Sequence, residues 1–283
     1  MHNNVLPPQP SGVSGRAVAA LAAISAMLVG AFVAAPPVLA SAWSGRSFGN
    51  QDDLVAAARV AFVDYWASGG SDLSPGLQAV GDYWARFHVV KAVIATLALA
   101  TVAAFGILLG RRYVTSGSLG ADRRAVLATA GVFTAMLAVV SAAAVMANIQ
   151  GALVPFSSLL SLVPVGESGG ELADTVDQIG QRLADGQRTQ ALEAMIGDFG
   201  DYHAVMAVIA VCAAAAVLGL SALSWTRFVR VDASDRRTRR VLGWVGVVTT
   251  VAALALVVVA VANAGTAADP APALAAFFDG AVL

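Results

Sequence analysis

The chain has 283 residues, of which 58% are hydrophobic and only 12% charged, about half the charged fraction of an ordinary soluble domain. Its net charge is −1, a balance that speaks against a nucleic-acid partner. Cys212 is the only cysteine, so neither a disulfide framework nor a cysteine-based metal site fits, and its place inside an apolar run is that of a packing residue.

Five windows carry no charge: Ala17 to Gly45, Ala92 to Gly110, Ala125 to Gly166, Ala204 to Thr226 and Val241 to Ala268. Each reaches or exceeds the roughly 17 to 25 residues that a helix needs to cross the hydrocarbon. A β-barrel would show alternating segments of about ten residues, whereas these runs are unbroken. Because backbone groups in lipid must pair within their own segment, an unbroken run means helix. The expected fold is an all-α integral membrane protein with five transmembrane helices.

In chain order, residues 1–16 form a leader with three prolines before Gly15, expected to be cytoplasmic and poorly ordered. Residues 17–40 are the first span. The small residues of Val38-Leu39-Ala40 and Ala40-Ser41-Ala42 also suit a cleaved signal peptide, and either reading leaves the next loop outside.

Residues 41–88 are an outer loop in which Leu54, Ala58, Phe62 and Tyr65 share one helical face, with Asp52 and Asp53 where acidic groups favour the helix dipole. Ser74-Pro75 looks like an N-cap followed by proline at the first helical position. Helices two and three cover residues 89–150. A second outer loop covers 151–202, where Leu172, Val176, Ile179 and Leu183 again form one stripe. Helices four and five cover 203–265, and residues 266–283, with Pro270 and Pro272, are expected to be a loose outer tail.

Charge sets the orientation. Arg111, Arg112, Arg123, Arg124, Arg227, Arg230, Arg236, Arg237, Arg239 and Arg240 supply ten of the seventeen basic residues in two short loops, which places those loops in the cytoplasm. Thirteen of the eighteen acidic residues lie in the two longer segments, which face out. The amino terminus is then inside, the carboxy terminus outside, and the plasma membrane the expected location. The paired arginines also suit anionic lipid or a cytoplasmic partner, although topology alone explains them.

Sliding the chain against itself by 115 residues aligns Leu77–Leu159 with Leu192–Leu274 without a gap and gives 26 identities in 83 positions. Roughly one in eight would be expected from shared membrane-helix composition. His88 meets His203, Arg112 meets Arg227, Arg124 meets Arg239, Asn148 meets Asn263 and Pro155 meets Pro270. Both units start outside, so four of the five helices are expected to form a pseudo-two-fold bundle of two parallel two-helix repeats about an axis along the membrane normal.

His88 and His203 are two of three histidines and occupy equivalent places near the outer surface. They suit a paired-imidazole site for a haem, or a metal site with Asp82, Asp198 or Asp201 nearby. The plainer reading is a pair of rings in an aromatic belt. Asn148 and Asn263 stand at the same level, where they suit C-terminal caps. Lys91 lies one turn past His88 and breaks the symmetry, since Met206 is its counterpart; an ionisable group inside a span is a functional candidate, but near the rim a lysine can snorkel. Gly106 and Gly110 are the one GxxxG spacing within the spans.

The run Trp84-Ala-Arg86-Phe-His88-Val-Val-Lys91 resembles a Trp-x-Arg-x-His-x-x-basic pattern in small membrane proteins of the anthrone-oxygenase-like family. That likeness covers eight residues and carries over no activity and no catalytic residue. The chain as a whole is similar to Ala- and Val-rich multi-pass membrane proteins of actinobacteria, which implies a bacterial setting.

Two functions remain open from the sequence. One is a non-enzymatic interaction or assembly component, with the lipid bilayer and another membrane protein or a second copy as partners. The other is a redox or ligand-binding membrane protein built on His88 and His203.

Overall fold

The computed structural model describes residues 15–115, 120–163 and 169–280, so most of the expected leader lies outside the described residues. The described chain is helical and has no strand: α1 (Gly15–Ser44), α2 (Gln51–Ser68), α3 (Pro75–Thr115), α4 (Ala121–Leu153), α5 (Pro155–Leu159), a 3-10 turn (Leu160–Leu162), α6 (Glu171–Ala184), α7 (Gln190–Arg230), α8 (Arg236–Ala268) and α9 (Pro270–Phe278). Five of these, α1, α3, α4, α7 and α8, are long and apolar enough to cross a membrane.

α3 and α7 each hold 41 residues, or roughly 60 Å at 1.5 Å per residue, about twice the hydrocarbon thickness. Nothing breaks them at the expected loop–span junctions. Their starts are set locally. Ser74 Oγ accepts the Leu77 amide at 3.2 Å and Thr189 Oγ1 accepts the Leu192 amide at 3.3 Å, each hydroxyl satisfying a donor that the first turn leaves orphaned. The helices α3 and α7 hold equal numbers of residues, as do α4 and α8. Gln190 stands 115 positions after Pro75, as Arg236 does after Ala121 and Pro270 after Pro155.

α3 packs along α4 and α7 along α8, while α1 lies on α3. The long helices turn Val33, Phe133, Val211, Leu254 and Val261 outward, a surface that hydrocarbon rather than water would cover. Small side chains fill the seams, with Ala95 on α3, Ala210 and Ala214 on α7, and Ala253 and Ala260 on α8 buried. Cys212, expected to be packed, is exposed instead, because it falls on the outward side of α7. The Gly106 and Gly110 spacing does not act as a contact motif either: a Cβ on Gly106 would touch Thr134 at 3.4 Å, but one on Gly110 would meet nothing within 4 Å.

The largest apolar core of the described residues sits at one end, in a cap formed by α2, α5, α6, α9 and the first turns of α3 and α7. Phe62 and Tyr65 from α2, Leu77 from α3, Leu160, Ile179, Leu192, Met195 and Leu274 are fully enclosed there. The two stripes expected of the loop segments therefore face a common core. Asn50 caps α2 by accepting the Asp53 amide at 2.9 Å, and Gly69, at φ 67°, closes it in the left-handed conformation that glycine adopts without a Cβ penalty.

The expected loose tail is corrected as far as residue 280, residues 281–283 lying outside the described residues. α8 runs to Ala268, Pro270 opens α9 at a position where its missing N–H costs nothing, and Leu274 and Phe278 are buried. The Phe278 ring stacks on Phe62 at 6.5 Å.

Polar ties fasten the cap. Tyr65 donates to the Ala191 carbonyl at 2.8 Å, Trp66 Nε1 donates to Gln178 Oε1 at 3.2 Å, and the Asp198 carboxylate accepts both the amide and the hydroxyl of Ser157, at 2.8 and 2.5 Å. Burial, and second the nearby Asp198 charge, push the Tyr65 phenol up to about 12. The neutral phenol is thus the form that the fold favours. Its contribution to stability is complete below pH 10 and is lost as the pH rises from 10 towards 12. An ultraviolet titration of the detergent-solubilised protein should show a tyrosine ionising near pH 12 that is missing from Tyr65→Phe; an unchanged late phase in that variant would contradict the assignment.

Candidate functional site

The two histidines fall where α3 and α7 pass from the cap into the apolar bundle, each walled by aromatic rings of its own helix. The His88 ring meets Trp84 edge-on at 4.6 Å and Phe87 at 5.8 Å. The His203 ring meets Phe199 at 4.7 Å and Tyr202 at 5.6 Å. Trp84 and Phe199 stand at i−4, where the helical repeat brings them against the imidazole, and Phe87 and Tyr202 stand at i−1.

Each histidine then reaches the neighbouring antiparallel helix. His88 Nδ1 lies 2.8 Å from Asn148 Oδ1, and His203 Nδ1 lies 2.8 Å from Asn263 Oδ1; in both pairs the partners are 60 positions apart. Asn148 Nδ2 donates to the Ala144 carbonyl at 2.7 Å, and Asn263 Nδ2 to the Val259 carbonyl at 2.9 Å. These backbone bonds turn each amide so that its oxygen faces the ring, and Nδ1 must then carry the proton. In the neutral imidazole the lone pair is left on Nε2.

The expected capping role of the asparagines is therefore corrected. α4 continues to Leu153 and α8 to Ala268, so both lie inside helices, and the C-cap positions are Val154 and Asp269. Each asparagine bonds a carbonyl four residues back and spends its oxygen on a histidine.

Beyond this shared motif the two sites differ. Around His88, Ser158 Oγ accepts Trp84 Nε1 at 3.0 Å and lies 3.4 Å from His88 Nε2. Gly151 of α4 supports the ring: a Cβ there would come within 2.9 Å of three ring atoms. At the positions 115 later, Ala273 replaces Ser158 and Thr266 replaces Gly151. No hydrogen bond to His203 Nε2 occurs among the described residues. Gln150 of α4 donates to the Tyr202 carbonyl of α7 at 2.9 Å, linking the two helix pairs beside the sites.

The carboxylates considered as further ligands are placed elsewhere. Asp198 is held by Ser157, Asp82 faces Arg86 at 3.8 Å, and Asp201 is exposed. Among the described residues no three of His, Cys, Asp and Glu are grouped as a metal ion would require. The Lys91 Nζ lies 4.6 Å over the Phe32 ring of α1 and 5.1 Å from Phe87, and Arg86 lies 5.9 Å over Trp43 of α1, so cation–π contacts dock α1 on α3.

No protein-family model, curated protein or solved structure matches the chain. The roles of these residues rest on their geometry.

The close fit at Gly151 separates two otherwise similar glycine substitutions. In Gly151→Ala the methyl group must displace a ring held by Asn148, a strain worth about 1–3 kcal/mol. Gly265→Ala places its Cβ in open space and should gain about 0.5–1 kcal/mol of helix stability. Thermal unfolding in detergent should rank the variants in that order, and equal or reversed shifts would show that the His88 ring does not rest on α4.

Proposed function

We propose that the chain is a multi-pass plasma-membrane scaffold that presents a folded cap outside the cell for interaction or assembly with another membrane protein or a second copy. The observation that carries this reading is the position of the packed core. It gathers every short helix, α2, α5, α6 and α9, into one body with the ends of α3 and α7, while the spans offer aliphatic surface. Such a cap is a rigid recognition surface held at a fixed height above the bilayer.

In this reading the arginine-bearing ends of α3, α4, α7 and α8 face the cytoplasm, as the positive-inside bias directs, and the amino terminus lies with them. The units α3–α4 and α7–α8 are parallel repeats about an axis near the membrane normal. Equal helix lengths, the constant 115-residue offset of their starts and the matched His–Asn pairs support that relation. Reporter fusions test the orientation: a fusion after Arg112 or Arg237 should be active only as a cytoplasmic reporter, and one at Gly170 only as an external reporter. External activity at Arg237 would overturn the model.

A second reading, a redox or ligand-binding protein, is favoured by one observation. Donation from Nδ1 to an asparagine oxygen leaves Nε2 of each histidine as the lone-pair atom, the arrangement in which an acceptor on one ring nitrogen turns the other towards a metal. Against it, Nε2 of His88 already faces Ser158. An absorbance scan and metal analysis of the purified protein separate the readings. The scaffold predicts no Soret band and no stoichiometric metal, whereas a band lost in the His88→Ala, His203→Ala double variant would establish the ligand site.

A further inference from the structure

At the arginine end, α7 and α8 enclose an open groove lined by Trp225, Phe228, Arg236, Arg240, Gly243 and Trp244. Its floor is built by close packing. The Trp225 ring lies against Gly246, where a Cβ would come within 2.8 Å, and Phe228 lies against Gly243 at 3.4 Å. Trp225 and Phe228 meet edge-to-face at 5.6 Å, and Trp225 Nε1 donates to Thr250 Oγ1 at 3.3 Å.

Of the arginines here, Arg239 is committed to the fold. It donates to the Phe228 and Val231 carbonyls at 3.3 and 3.1 Å and stacks over Phe228 at 4.3 Å, closing the last turn of α7. The guanidinium groups of Arg236 and Arg240 are exposed and have no salt bridge or hydrogen bond among the described residues. They stand four positions apart on the first turns of α8, on one face, where the helix dipole adds positive potential. The two loop carboxylates are turned to their own backbone, Asp232 accepting the Ser234 amide at 2.8 Å and Asp235 the Thr238 amide at 3.1 Å.

The other helix pair supplies an internal comparison. At the positions 115 earlier stand Gly110 for Trp225, Ala121 for Arg236, Ala125 for Arg240 and Thr129 for Trp244. The structural residues are kept in kind, Arg124 for Arg239 and Tyr113 for Phe228. What these four positions carry in α7–α8 and lack in α3–α4 is thus two indoles and two guanidinium groups.

We infer that this groove binds the headgroup and upper acyl chain of an anionic phospholipid in the leaflet at the arginine end. The inference rests on the proposal that these helices span a membrane, but not on which side the cap faces. Guanidinium groups pair with phosphate oxygens in two-pronged hydrogen bonds. Indole rings settle at the depth where headgroup meets chain, and Trp244, 67% exposed, offers its face to that layer. The lipid, rather than a soluble phosphate, is the fitting occupant because the lining below the arginines is apolar.

Native mass spectrometry of the full chain in a zwitterionic detergent, titrated with phosphatidylglycerol or phosphatidylcholine, tests the site. Phosphatidylglycerol should bind in one tight step that Arg236→Gln with Arg240→Gln weakens roughly 25-fold, fivefold for each charge removed. Trp244→Ala should also weaken it. The matched control, Arg111→Gln with Arg123→Gln, should change it less than twofold. All four positions are exposed, so the variants are expected to keep the wild-type circular dichroism. Equal losses from both arginine pairs would overturn the proposal in favour of diffuse charge. Equal binding of phosphatidylcholine would reduce the groove to an acyl-chain contact, and displacement of the lipid by millimolar inorganic phosphate would make it a free-anion site; either result also overturns the proposal.

Discussion

A polar side chain carried into an apolar layer must find its partner within that layer, and the two His–Asn pairs show how this chain meets the requirement. α3 and α7 each bring an imidazole past the cap, and α4 and α8 each bring an amide to the same level. Once Asn148 and Asn263 are anchored to carbonyls on their own helices, the donor and acceptor roles are fixed. The register of each antiparallel helix pair is fixed with them, because a slip of one residue along either helix would leave both groups unpaired.

The cap depends on that register. Its core takes residues from the first turns of α3 and α7 and from α5 and α9, which follow directly on the ends of α4 and α8. A helix pair held at the histidine level therefore delivers its two ends to the cap at a defined separation. The ties from Asp198 to Ser157 and from Gln150 to the Tyr202 carbonyl then join the α3–α4 side to the α7–α8 side. Packing, rather than covalent linkage, makes one body of segments that are far apart in sequence.

Much of this was legible in the sequence, since uncharged runs mark the long helices and the stripes on α2 and α6 mark faces that become buried. The equal 60-residue spacing of His88 with Asn148 and of His203 with Asn263 was also visible, but capping was the favoured account of the asparagines. Composition does not mark where a helix leaves an apolar layer when it continues unbroken, as α4 does to Leu153. Pro270 and Pro272 suggested a loose tail because proline ends helices, yet one proline begins α9, and Leu274 with Phe278 supplies its buried face. Gly151 and Ser158 carry no signal in a chain rich in small residues. Their roles appear only when the His88 ring is in place.

The most direct measurement is a pair of double-mutant cycles in detergent, one on His88 and Asn148 and one on His203 and Asn263, each with the two single alanine variants and the double. If the imidazole–amide bond holds each helix pair in register, each cycle should give a coupling energy of roughly 0.6 kcal/mol, the average for hydrogen bonds between membrane helices, and at most about 1.7, and the two values should be similar. Additive losses in both cycles, with no coupling, would contradict the account and leave the histidines as independent packing residues.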